Sequence, residues 1–153
     1  MTLKDWELIS ILLSALVMGV FWGPWVGLTR SIATFTPEAF LAIGYRLNQN
    51  LAPLMSALMP VSLVSMAPVL FLSYSGSPRT FSLTLVGFAL FVVALLVTVI
   101  IEVPIAQQIK SWTTSTLPGN WQQLRDRWAS VHIIRVLAGI VGLACLVLGA
   151  LST

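Results

Sequence analysis

The apolar positions of this chain fall into four long runs, at residues 8–28, 51–74, 83–103 and 131–151, separated by short polar segments. None alternates with a period of two, as a half-buried strand would, and each reaches the roughly 20 residues that a helix needs to cross a bilayer. Helices are the form expected for such runs, because lipid offers no partner for a backbone N–H or C=O. The pattern therefore predicts an all-α, integral membrane four-helix bundle, antiparallel, with residues 1–153 forming one domain. The first run continues through "FWGPWVG" with no small-residue cleavage pattern, and it is expected to stay as a span.

Polar signals extend two of these helices beyond their apolar runs. Thr36, Pro37 and Glu38 read as a cap, a first-turn proline and a first-turn acid. That helix is expected to continue into the second span, with Pro53, Pro60 and Pro68 as kinks. Asn120 reads as a second cap, with Gln123 at the capping-box position. A helix from there to residue 151 would be about 46 Å long at 1.5 Å per residue. The hydrocarbon layer is only about 30 Å thick, so about three turns protrude. Both extensions, of helices 2 and 4, emerge on the face that carries loops 1 and 3.

Charge gives this bundle a direction. Arg30, Arg46, Lys110, Arg125 and Arg127 lie on the loop-1/loop-3 side, against Lys4 and Arg79 on the other. By the positive-inside rule, loops 1 and 3 face the cytoplasm and both termini face out, in the inner membrane if the cell is bacterial. Composition agrees with the class: 58% of the 153 residues are hydrophobic and only 8% are charged, against about a quarter charged in a soluble domain. The net charge of +3 is scattered over loops, so nucleic acid is not expected as a partner. One cysteine, Cys145, and one histidine leave no intrachain disulfide, CxxC pair or zinc signature, and no metal is expected. Ala138, Gly139, Gly142 and Gly149 permit close helix packing. They fit contacts within the bundle, and equally the seam of a homo-oligomer.

The candidate chemistry is concentrated in "NWQQLRDRWASVHIIRV". Trp121, Arg125, Trp128, His132 and Arg135 recur at i, i+4, i+7, i+11 and i+14, one face of a helix. An aromatic belt with snorkelling arginines accounts for the outer members. His132 and Arg135 lie in the span, where an ionisable group needs a partner. Glu102, near the end of the third span, is level with them in an antiparallel bundle, so a Glu102–Arg135 or Glu102–His132 contact is predicted. Trp22 and Trp25 of the first span, and Arg46 and Asn50 of the second helix, are expected at the same mouth.

"EVPIAQQI…LPGNWQQLRDRWASVHIIR" resembles the anthrone-oxygenase-like family of small four-span membrane proteins. The matching positions are Pro104, Trp121, Arg125, Trp128, His132 and Arg135, and "NQNLAPLMSALMP", with Asn50 and Pro60, is similar to the family's second helix. Where that family is expected to carry asparagines around the Val-Pro, this chain has Glu102 before it and Ala106 and Gln107 after it. The resemblance implies oxidation of an anthrone-type polycyclic phenol by dioxygen, as co-substrate, with no cofactor. In that reading His132 is the base, Arg135 or Arg125 holds the substrate oxyanion, and Trp22, Trp25 and Trp128 hold the flat rings. Glu102 orients His132 or is itself the base. Arg46 and Asn50 complete the substrate-binding set. Two competing classes fit the same residues: a non-catalytic binder of lipid or a quinone-like molecule, or an assembly protein, and a small proton-coupled exporter working through Glu102.

Overall fold

A computed structural model describes residues 1–152. Helix α1 spans Leu3–Gly27, a short 3-10 helix follows at Thr29–Thr34, and α2 spans Pro37–Ser73. Helix α3, Pro78–Val97, passes through a π-helical turn at Thr98–Glu102 into α4, Val103–Lys110, and α5 spans Trp121–Ala150. The four long helical units form an antiparallel ring in which α1 and α3 each pack against both α2 and α5.

The chain's local chemistry accounts for these boundaries. Thr2 and Asp5 cap α1 reciprocally, through Asp5 N–H to Thr2 Oγ1 at 3.3 Å and Thr2 N–H to Asp5 Oδ2 at 2.7 Å. Thr36 caps α2 by accepting from Ala39 N–H at 3.3 Å, with Pro37 at the first position where no donor is needed. Asn120 does stand at the cap position of α5, but its side chain makes no cap bond. Its carbonyl accepts from Gln123 N–H at 3.0 Å instead, so the expected capping box is not formed.

Helix α2 runs without interruption through Pro53, Pro60 and Pro68. The third helix answers its proline differently. An α-helix would press the Pro104 ring against the carbonyl four residues back. Widening to a π turn relieves this, and Val103 N–H reaches back to the Thr98 carbonyl.

The principal core lies between all four helices and contains Val17, Phe21, Met59, Met66, Phe91, Ala94 and Val136. Contact between α5 and its neighbours depends on glycine. A Cβ on Gly142 would stand 3.0 Å from the Phe91 ring, and one on Gly139 would stand 2.7 Å from Met18 Sδ. Ala138 and Gly149 are also buried, so the small-residue stripe lies in contacts within the bundle. A second cluster, built on Ile32, Phe40, Ile105 and Ile109, packs the extensions of α2, α4 and α5 at the loop-1/loop-3 end.

The outer surface is apolar along most of its length. Each long helical unit has a mean hydropathy of at least 1.9 over an 18-residue window, yet no more than 39% of any such window is buried. Leu16, Val64 and Phe71 face outward with 60%, 71% and 83% exposure. Water would not tolerate that surface and a bilayer does, so the chain is an integral membrane bundle of four apolar helices.

Candidate active site

Three ionisable side chains meet inside the bundle. Glu102 comes from the π turn, and His132 and Arg135 from one face of α5; they are 5%, 2% and 8% exposed. Arg135 Nη2 stands 2.5 Å from Glu102 Oε2, and Arg135 Nη1 donates to Thr98 Oγ1 at 3.1 Å. The π turn thus presents both partners of the guanidinium, Thr98 and Glu102. The guanidinium also lies over the Phe21 ring, 4.7 Å from its centroid. The predicted contact between Glu102 and Arg135 is present. Their opposite charges compensate each other where neither would be stable alone.

The remaining bonds fix the state of His132. Arg135 Nη2 is also 2.6 Å from His132 Nδ1, and His132 Nε2 is 2.9 Å from the Phe21 carbonyl oxygen. A guanidinium only donates and a carbonyl only accepts. His132 therefore accepts at Nδ1 and donates from Nε2–H, which makes the ring neutral with its proton on Nε2. Glu102 Oε1 stands 3.5 Å from Nδ1, with no hydrogen between the two.

Two buried polar atoms of this group have no hydrogen-bond partner among the described residues: Glu102 Oε1, an acceptor, and Arg135 Nε, a donor. Such atoms cost about 1–3 kcal/mol each when left unpaired, more when charged. Both residues line a cavity of about 430 Å³ between α1, α2, the π turn and α5. Apolar side chains form most of its wall, among them Phe21, Phe40, Met55 and Trp128, and its polar contributions come from Asn48, Ser56, Thr98 and the three ionisable residues.

Of the residues expected at this site, Glu102, Trp128, His132 and Arg135 line the cavity together. The Trp128 and His132 rings lie 5.8 Å apart. The others are elsewhere. Trp22 is 45% exposed, and Trp25 packs against the principal core, with the two rings 5.2 Å apart. Arg125 is buried, but it is bound to Asp126 at 2.8 Å and lies over Trp121. Arg46 borders a separate, more open groove of about 550 Å³ between α2 and α4. Asn50 is exposed, whereas Asn48, some 200° away on the same helix, faces the cavity.

Thr98 and the Phe21 carbonyl were not anticipated as site groups. A threonine in an apolar helix has an ordinary role, bonding back to the preceding turn, and Thr98 does so to Ala94 O at 2.7 Å. A backbone carbonyl leaves no mark in a sequence at all.

None of the curated proteins and none of the solved structures matches this chain. The family model described as anthrone oxygenase matches residues 44–145, a stretch that contains Glu102, Trp128, His132 and Arg135. That match covers two thirds of the chain and includes every ionisable residue of the buried cluster, and the chain belongs to the anthrone oxygenase family.

Proposed function

We propose that this protein oxidises an anthrone-type polycyclic phenol with dioxygen in the Glu102–Arg135 cavity, with Glu102 as the base. The single observation that supports this reading most is the pair of unpaired buried atoms, one acceptor and one donor, on residues lining one apolar cavity. An anthrone presents their complements: an acidic methylene and, across the ring, a carbonyl that becomes an oxyanion once the methylene loses a proton.

Glu102 Oε1 takes that proton, and the C–H electron pair spreads through the aromatic rings onto the oxygen. Arg135 stabilises the oxyanion, aided by the low polarity of its surroundings. The electron-rich carbanion passes an electron to dioxygen, and the two radicals combine into a peroxide anion, to which protonated Glu102 returns its proton. Loss of the second methylene hydrogen, with cleavage of the O–O bond, gives the quinone carbonyl and one water. The net change is CH₂ plus O₂ to C=O plus H₂O, with no further reductant. For His132, expected as the base, this geometry favours a positioning role instead. His132 Nδ1 is occupied by Arg135, so His132 anchors the guanidinium to α1 rather than taking the proton.

The non-catalytic binding reading uses the same cavity and is separated by turnover alone. The exporter reading has less support, since the carboxylate that would exchange a proton for a cation already holds the Arg135 guanidinium at 2.5 Å. The excess of Arg and Lys on the loop-1/loop-3 face supports a cytoplasmic position for that face.

The test is turnover of anthrone under ¹⁸O₂ by the protein in nanodiscs. One labelled atom in each anthraquinone formed, at a rate well above protein-free autoxidation, is the expected result. No acceleration by the protein overturns the reading.

A further inference from the structure

The cavity is closed at its outer end and open on its side. Toward loops 1 and 3 it abuts the second apolar cluster, and Phe40 and Ile109 belong to both while Trp128 packs against the cluster. Phe40 and Ile109 are only 3% and 7% exposed. A Cβ on Gly44 would stand 3.6 Å from Ile109 Cγ2, so α2 and α4 are in contact there. This end is a seal.

The flank between α2 and the π turn differs. Ala52, Ser56 and Pro60 line the cavity yet are exposed, and across from them so are Val99 and Val103, by 56% and 40%. A residue that both lines a cavity and reaches the outer surface marks its opening. Sequence explains the gap: on the α2 side the rim consists of short side chains.

Depth decides what the opening faces. Ser56 lies five residues inside the apolar run that starts at Leu51, about 7–8 Å deeper at 1.5 Å per residue. The opening therefore meets hydrocarbon rather than water or headgroups.

We infer that the slot rimmed by Ala52, Ser56, Val99 and Val103 is a lateral portal, through which a flat apolar ligand passes between the bilayer core and the Glu102–Arg135 cavity. The portal rests on the cavity's being a site for polycyclic ligands, but not on turnover. A ring system of this kind concentrates in the membrane. From water it would have to separate Phe40, Ile109 and Trp128; from the bilayer it meets only small side chains. The ligand class narrows accordingly to molecules that are apolar around most of their rim, with the polar edge that leads toward Glu102 and Arg135.

The experiment uses the full-length protein in nanodiscs and anthraquinone as the probe, with binding followed by quenching of tryptophan fluorescence. Anthraquinone attached to a phospholipid acyl chain, and so unable to leave the bilayer, is expected to bind as free anthraquinone does. Ser56→Phe is expected to slow association and dissociation of the free probe about tenfold each, with Kd nearly unchanged. Ser56→Ala, which keeps the rim open, and Ile32→Ala, which loosens the seal, are expected to leave both rates within about twofold. Free probe that binds while tethered probe does not, or rates that rise with Ile32→Ala and ignore Ser56→Phe, would overturn the portal. Failure of free anthraquinone to bind at all removes the cavity assignment beneath it, whereas binding without turnover removes only the oxygenase reading.

Discussion

Nδ1 of His132 lies 2.6 Å from Nη2 of Arg135, and of these two nitrogens only the imidazole can accept. The ring is thereby tied to α1 through Nε2–H and the Phe21 carbonyl. The chain has one histidine, so ¹⁵N spectra of histidine-labelled protein report this ring alone. A protonated Nε2 and an unprotonated Nδ1 are expected near neutral pH. A proton on Nδ1 would contradict the assignment.

Charge compensation between Glu102 and Arg135 predicts an asymmetric mutational response. Arg135→Gln leaves a buried carboxylate without its cation and is expected to destabilise the bundle by about 3–5 kcal/mol. Glu102→Leu combined with Arg135→Met removes both charges and is expected to recover most of that loss. Thermal unfolding of the single and double variants in one detergent measures the difference, and equal losses would argue against a compensated pair.

Close packing at α5 gives a second contrast. Gly142→Ala places a methyl group 3.0 Å from the Phe91 ring and is expected to cost about 1–3 kcal/mol through overpacking. At Gly19 nothing lies within 4 Å of the added Cβ, so Gly19→Ala is expected to be neutral or slightly stabilising. The same unfolding assay checks both.

The buried cluster was legible in the sequence because charge in an apolar helix needs a partner, and Glu102 was the one acid at the level of Arg135. The four helices were legible for the equivalent reason, since runs this apolar have one stable form in lipid. Rotation was harder to read. Asn48 and Asn50 differ by two positions and face opposite ways, and Trp22 and Trp25 share a side of α1 that does not face the cavity. Nothing in residue type fixes that angle; contact with neighbouring helices does. His132 was expected to be the base because imidazole is the residue type most suited to proton transfer at neutral pH. The anchoring role proposed for it rests on two bonds that exist only in the folded chain.

The π turn places Glu102 and Thr98 around one guanidinium, and Pro104 follows it in the first turn of α4. Pro104→Ala restores a backbone donor and permits an ordinary α-helical path, which would rotate Glu102 relative to α3. The expected outcome is a fall in anthrone turnover of up to about 10²-fold, the lower end of what a general base contributes, with thermal stability preserved or raised. Unchanged turnover would show that the turn does not set the position of Glu102.

The central claim is that Glu102 removes the methylene proton, and kinetics of Glu102→Gln with anthrone and its dideuterated form test it most directly. The wild-type protein is expected to turn over the deuterated substrate more slowly. Glu102→Gln is expected to lower kcat by about 10²–10⁴-fold, the usual contribution of general acid–base catalysis, while still binding anthraquinone; His132→Asn should lose much less. A Glu102→Gln variant that oxidises anthrone at the wild-type rate, with the same isotope effect, would contradict the account.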